Sequence, residues 1–359
     1  MSARSNEWHF VKHVGIKLVW LLLLSGCLTP ISVETENIGG TLVVSGQISP
    51  LADQNIVQLG RTAITERLPL PLSGATVRLH DDEGATYDYT ESYFVAGDYL
   101  LPDYSGIPGK TYFIEVITPE GEIYQSKPEK MPDAVGTLTT HHEFVREQYV
   151  DLEGIVSQEY FIKVYTDSDV SSTEVPVYLK WTCEEAFLLS PTDFPDPFNS
   201  IPPPCFVVQN ADPQRITLVD GNEINTTSID NLLVVSRIVD WTFLEKHLFS
   251  TYQSSLTKEA YEYWSNVNVL ANQVGSIFDT PPAEIIGNVS SVNNPEEKVL
   301  GYFQAANQTV HRFGVYPYDL PFQLTVITCT YSGERRDYPT RCLDCTSLRN
   351  SSYRRPDYF

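Results

Sequence analysis

Between residues 41 and 132, short apolar runs of alternating polarity are cut at regular intervals by turn residues. A chain with this pattern has little option but to form twisted sheets packed face to face. Leu42-Val43-Val44-Ser45-Gly46-Gln47-Ile48 reads as a strand and Asn55-Ile56-Val57-Gln58-Leu59 as its neighbour. In Leu72 to Leu79, the side chains of Ala75, Val77 and Leu79 share one face at period two. Asp81-Asp82-Glu83-Gly84 is a turn, and Gly97 to Leu100 and Thr111 to Ile117 continue the series. Ser105-Gly106, Pro108-Gly109 and Pro119-Glu120-Gly121 supply the intervening breaks. The supply of 21 Tyr, 16 Phe and 5 Trp against 2 Met agrees, because aromatic side chains suit a pleated, half-buried surface.

The opening Val44-Ser45-Gly46-Gln47-Ile48, the strand Gly74-Ala75-Thr76-Val77-Arg78-Leu79, the acidic turn and Gly97-Asp98-Tyr99 together resemble a transthyretin-like or Ig-like β-sandwich of the carboxypeptidase-regulatory type. The resemblance implies a scaffold or adaptor module. Asp81, Asp82 and Glu83 lack the ligand spacing of an EF-hand-like calcium loop, so a solvated hairpin tip is expected there.

Pro128-Glu129-Lys130-Met131-Pro132 interrupts the pattern and places a boundary before Asp133. A second, β-rich domain is expected over 133–359. Its strand candidates are Tyr160 to Tyr165, Val175 to Trp181, Gln214 to Val219 and Leu232 to Val239. Pro176 cannot donate to a ladder, which predicts an edge position for the second of these. One segment departs from β periodicity. From Thr257 to Val274, the residues Ala260, Trp264, Val267, Ala271 and Val274 recur at steps of three or four, predicting one amphipathic helix packed on a sheet. Thr257 is placed to cap it, and Glu259 suits its first turn.

Ahead of the folded region, Arg4, Lys12 and Lys17 precede Leu18-Val19-Trp20-Leu21-Leu22-Leu23-Leu24 and then Ser25-Gly26-Cys27. This is the order of a secretory signal. Its apolar run is far short of the roughly 20 residues a membrane-spanning helix needs. Leu24-Ser25-Gly26-Cys27 resembles the bacterial lipobox, which implies cleavage between Gly26 and Cys27 and lipid on the Cys27 thiol. Residues 1–26 are then a signal peptide and 27–40 a lipidated tether, with outer-membrane lipid as the first partner. A formal net charge of −22 argues against nucleic acid as another, since phosphate binding needs clustered Lys and Arg.

Beyond the anchor stand Cys183, Cys205, Cys329, Cys342 and Cys345, in a compartment that favours oxidation. Cys183 and Cys205 flank a Pro-rich loop, and a bridge between them would restrict the unfolded chain. Cys342-Leu343-Asp344-Cys345 is a C-x-x-C without the further ligands of a zinc site, so a structural disulfide in the tail is expected.

No constellation of catalytic residues is legible, and neither an enzyme nor a cofactor is expected. None of His80, His141, His142, His247 and His311 has metal-ligand spacing, and adjacent residues such as His141 and His142 on a strand face opposite ways. Ser255-Leu256-Thr257-Lys258 matches S-x-x-K without its partner motifs and reads as a helix start. Paired carboxylates such as Glu184-Glu185 and Glu296-Glu297 default to surface charge. The terminal Phe359 is compatible with a membrane barrel, but Arg354, Arg355, Pro356 and Asp357 break the required lipid-facing alternation.

Leu256-Thr257-Lys258-Glu259-Ala260-Tyr261-Glu262-Tyr263-Trp264, Ile286-Gly287-Asn288-Val289, Val299-Leu300-Gly301-Tyr302-Phe303 and Cys342-Leu343-Asp344-Cys345-Thr346, in this order, resemble a Bacteroidota outer-membrane lipoprotein family catalogued as a domain of unknown function, number four-two-four-nine of its series. The tail departs from that family's pattern: Ser347-Leu348-Arg349-Asn350 follows the C-x-x-C where a Gly-rich stretch is usual, and the chain closes on Phe359 where Trp is usual. The resemblance implies an accessory lipoprotein of the outer membrane beside a TonB-dependent transporter, facing the cell surface in preference to the periplasm. A surface adhesion or structural component is the alternative.

Overall fold

The computed structural model describes residues 40–359 apart from 65–67, 135, 152, 171–176, 190–202, 224–225, 273–284, 325–343 and 349. The signal segment, Cys27, the tether up to residue 39, Pro176, Val274, Cys329 and Cys342 lie outside the described residues.

In chain order the first block holds β1 (Leu42–Ile48), β2 (Ile56–Arg61), β3 (Leu70–Pro71), β4 (Thr76–Asp81) and β5 (Thr86–Asp88). It continues with β6 (Thr90–Glu91), β7 (Asp98–Leu100), β8 (Thr111–Ile117), β9 (Ile123–Ser126) and β10 (Glu129–Lys130). Longer strands follow: β11 (Leu138–Val150), β12 (Val156–Asp169), β13 (Tyr178–Leu189), β14 (Cys205–Asn210), β15 (Thr217–Asp220), β16 (Ser228–Ile238) and β17 (His247–Leu256). Then come helix α1 (Lys258–Asn272), β18 (Val289–Ser291), β19 (Val299–Ala305), β20 (Asn307–Val315) and β21 (Ser351–Ser352). The fold is mainly β, as expected.

The strands of the first block form two sheets, ordered β19-β1-β2-β7-β6 and β18-β9-β8-β4-β5. Alternate residues of both face one core: Leu42, Val44, Val57 and Leu59 from one sheet meet Val77, Leu79, Ile114, Val116 and Tyr124 from the other. The burial of β8, alternating along its whole length, is the physical content of the period-two pattern. Each sheet is completed by a strand from far along the chain. β19 pairs in parallel with β1, Leu42 opposite Val299 through Ile48 opposite Ala305, and β18 pairs antiparallel with β9. Phe303, Ala305 and Val289 bury their side chains in this core. The expected division at residue 132 therefore marks a break in pattern, while residues 289–305 belong with the first sandwich. Gly301 makes the parallel pairing possible: it has φ +95°, and a Cβ there would stand 2.0 Å from the Val44 carbonyl oxygen.

The other two sheets, β11-β12-β16 and β20-β17-β13-β14-β21, enclose a second core. Ile162, Val164, Val234 and Val235 meet Leu179, Trp181, Phe249 and Val315 there. Val175 to Trp181 was expected at an edge because of Pro176; instead β13 is central, hydrogen-bonded to β14 and β17. The physical reason is that pairing begins at Tyr178, beyond the residue that cannot donate.

The helix forms where expected. The Ala260 amide donates to Thr257 Oγ1 at 3.1 Å, which is the cap. Ala260 is buried with Leu256, Tyr302 and Ala306, and Trp264 packs against them. Ala271, expected on the same face, is exposed.

A buried polar seam runs where β1 and β19 meet β13, β17 and β20. Gln47 Nε2 donates to Gln308 Oε1 at 3.1 Å, Gln304 Nε2 to Gln47 Oε1 at 2.9 Å, and Gln308 Nε2 to Ser254 Oγ at 2.9 Å. Trp264 Nε1 donates to Gln304 Oε1 at 2.7 Å. Buried amides in reciprocal pairs fix register, because any slip would leave them unsatisfied.

Candidate functional site

Several sequence-derived candidates resolve into structural devices. The acidic turn is formed, but Asp81 is buried and organises it, accepting from the Glu83 and Ala85 amides and from Lys110 Nζ at 3.1 Å. Burial would raise its carboxyl, yet the Ala85 amide and the Lys110 ammonium hold it below the ordinary range. The solvated tip is therefore Asp82 and Glu83 alone, and Lys110 already occupies the place a cation would take at Asp81.

The Glu184-Glu185 pair is not surface charge. Glu185 is fully buried on β13, where Arg237 Nε donates at 3.0 Å, His247 Nε2 lies at 3.1 Å and Gln209 Nε2 donates at 2.6 Å. Burial alone would raise this carboxyl; the His247 bond and the Arg237 charge lower it below the usual value. Each acidic oxygen is satisfied, which makes the cluster a tie between β13, β16 and β17. Sequence reading missed it because Arg237 is supplied by the facing sheet and His247 by the neighbouring strand β17, 52 and 62 residues along the chain.

His141 and His142 do point opposite ways, one stacked on Tyr165 and the other on Phe313. Among the described residues no group of three His, Cys, Asp or Glu side chains is placed to hold a metal ion. The expected Cys183–Cys205 bridge is not formed. Cys205 pairs with Cys345, 140 residues away, with Cα atoms 5.8 Å apart, while Cys183 is a buried free thiol. Cys183 projects inward with Trp181 and Leu179 at period two, and Cys205 stands opposite Leu189, six residues further along β13, so at about 3.3 Å per residue the two lie roughly 20 Å apart along the strand.

Among the described residues, one place where the surface opens is the β6–β7 end of the first sandwich. A cleft of about 500 Å³ lies between residues 87–94 and 100–104, with Arg354 of the C-terminal tail on its wall. That size is within the roughly 300–1,000 Å³ typical of small-ligand sites. Tyr87 and Tyr104 pack with ring centroids 4.0 Å apart, and the Tyr104 hydroxyl meets Tyr112 at 3.1 Å. Burial, then the hydrogen bonds to Tyr112 and Tyr87, push the Tyr104 phenol well above its usual range, so it stays protonated.

The loop above is shaped by its own side chains. Ser92 Oγ accepts from the amides of Phe94 and Val95, each at 3.2 Å, and Glu91 accepts from Gly74 N at 2.9 Å. The Gly74 amide and Ser73 together hold the Glu91 carboxyl below its ordinary value. With the loop so held, Tyr93 is 95% exposed and Phe94 69% exposed, their rings edge-to-face at 5.4 Å. Gly97, at φ +80°, lets the loop close against Leu59 and Pro71. Val95 on this loop is exposed, as are Leu68 and Leu70 in the segment that leads to Pro71. Only the strand pattern around these residues was visible in sequence. No spacing rule joins residues 87–104 to Arg354.

The fold and site thus define a protein of two fused β-sandwiches, with one helix and an aromatic cleft at the end of the first. Residues 28–312 match the family model described as Domain of unknown function (DUF4249), and the chain belongs to that family. Comparison with curated proteins finds no match.

Proposed function

We propose that this chain is a lipid-anchored accessory of the outer membrane, held by Cys27, that docks a TonB-dependent transporter through the β6–β7 end of its first sandwich. The observation that carries the reading is the exposure of Phe94 and Val95 on a loop held by Ser92 and Glu91, together with exposed Leu68 and Leu70 on the segment leading to Pro71, against which Gly97 closes that loop. Apolar surface gathered in one place, rimmed by polar residues, is the usual mark of a contact with another protein. Ordering such a loop before binding reduces the entropy lost on docking. The lipobox-like Leu24 to Cys27 supports the address, and the partner is proposed on what the family resemblance implies.

The test is co-purification from membranes dissolved in mild detergent, with wild type and a Leu70→Glu, Val95→Glu variant. A transporter recovered with wild type and lost with the variant is the expected outcome. Recovery of the chain alone in both cases overturns the proposal. Protease shaving of intact cells decides the face, and Cys27→Ser should abolish lipid labelling and displace the protein.

A further inference from the structure

We propose that the cleft under the Tyr93 loop is a binding site for a neutral sugar ring of an oligosaccharide. The inference rests on the reading of this end of the sandwich as a binding surface and adds what enters it.

Tyr93 offers an aromatic face that is almost wholly exposed, and Phe94 stands at 89° to it, so the two rings make a corner in place of a flat patch. A corner accepts the side of a flat, rigid body. The packed Tyr87 and Tyr104 rings also line the cleft. Among the lining residues are both kinds of hydrogen-bonding charge. Asp103 can only accept and Arg354 can only donate. Neither side chain has a hydrogen-bond or ion-pair partner among the described residues.

A ligand for such a site needs an apolar face for the rings and a rim that both donates and accepts. Hydroxyl groups do both. A pyranose ring has C–H bonds on its faces and hydroxyls around its edge, and it fits this description. An anionic ligand would meet Asp103, Asp88 and Glu91, and a cationic one would meet Arg354. A purely apolar ligand would leave both charges desolvated and unpaired, which is unfavourable.

The site is assembled from segments about 250 positions apart, residues 87–104 and Arg354. The tail that carries Arg354 is held near by the Cys205–Cys345 bond and by the pairing of Ser351 and Ser352 with Val207 and Phe206. Further along, the Arg312 guanidinium lies 4.5 Å over the Tyr358 ring. Arg354 is therefore delivered to the cleft by the second sandwich, although the cleft belongs to the first.

The test is calorimetric titration of the full chain, in a detergent without a sugar head group, with maltohexaose, cellohexaose and chitohexaose, and with polygalacturonate and tetralysine as charged probes. Binding of at least one neutral hexasaccharide is expected, weakened about tenfold or more by Tyr93→Ala and by Arg354→Ala, each tenfold step being about 1.4 kcal/mol. Unchanged thermal unfolding of both variants shows that the loss is local. Failure of all three neutral probes at millimolar concentration overturns the proposal. So does binding that the variants leave intact, or preference for a charged probe. Transporter co-purification that persists when no sugar binds overturns this inference and leaves the docking proposal standing.

Discussion

Cys205, the first residue of β14, is bonded to Cys345 across 140 residues of chain, and this bond ties the C-terminal tail to the second sandwich. The two sulfurs are buried with Leu189. By the chain-entropy argument a loop of this length stabilises by about 5 kcal/mol, with measured values usually lower. Replacing both cysteines with Ser should lower the denaturation midpoint and loosen residues 344–359 first. Peptide mapping without reductant should recover the 205–345 cross-link. Cys183 should resist alkylation until unfolding, since burial pushes its thiol up to about 12. Rapid labelling of Cys183 in the folded protein would contradict this.

Lys180 is buried on β13 with its ammonium 3.7 Å from the Trp264 ring centroid and 3.5 Å from Gln304 Oε1. Among the described residues no carboxylate pairs with it, and burial brings its amine down to about 7. A folded value below the unfolded one gives stability that is present above the unfolded value near 10.5 and is lost as pH falls toward 7. At neutral pH the residue therefore destabilises the fold, by an amount on the order of a few kcal/mol. Lys180→Met should raise the thermal midpoint at pH 7 and narrow the gap in stability between pH 7 and pH 10. A lower midpoint at pH 7 would show that the cation–π contact outweighs desolvation.

Glu129 carries the opposite case. It is buried between β10 and β19, accepting from the Tyr302 hydroxyl and the Ala305 amide. Burial wins over those bonds and raises its carboxyl to about 7. A raised folded value gives stability that is complete below the unfolded value near 4.5 and is lost as pH rises through 7. Glu129→Gln keeps the shape and removes the charge. It should flatten the stability profile between pH 4.5 and 7 and stabilise the protein at pH 8 by roughly 1–3 kcal/mol. A variant whose profile keeps the wild-type slope would assign the titration to another group.

The first sandwich should not fold from its own contiguous residues. A fragment of residues 40–132 lacks β18 and β19, leaving β1 and β9 as open edges and the places of Phe303 and Val289 empty. It should aggregate or remain unfolded by circular dichroism and gel filtration. In the full chain, Phe303→Ala should cost about 3–5 kcal/mol and Gly301→Ala should disrupt the same edge. A monomeric fragment with cooperative unfolding would refute the shared-sandwich arrangement.

Local periodicity made much of this fold legible. The alternation in Thr111 to Ile117 reports burial directly, and the Thr257 cap with Ala260 and Trp264 reports a helix, because each signal is written within a few residues. Pro176 misled because a residue that cannot pair says nothing about the strand that starts two residues later. The cleft was hidden for a related reason: Tyr93 and Phe94 are ordinary aromatics in sequence, and their exposure depends on Glu91 reaching Gly74 and on Gly97 closing against Pro71.

By itself, then, the sequence determined the β class, several of the strands and the helix, all properties of short segments. Only the tertiary structure decided that β19 returns to β1, that Cys345 rather than Cys183 bonds Cys205, that Glu185 is a buried tie, and that Arg354 joins the cleft. These are choices among partners 50 or more residues apart, as with the 52 between Glu185 and Arg237. They are made by which surfaces bury together and which buried polar groups are satisfied, and neither quantity exists until the chain has folded.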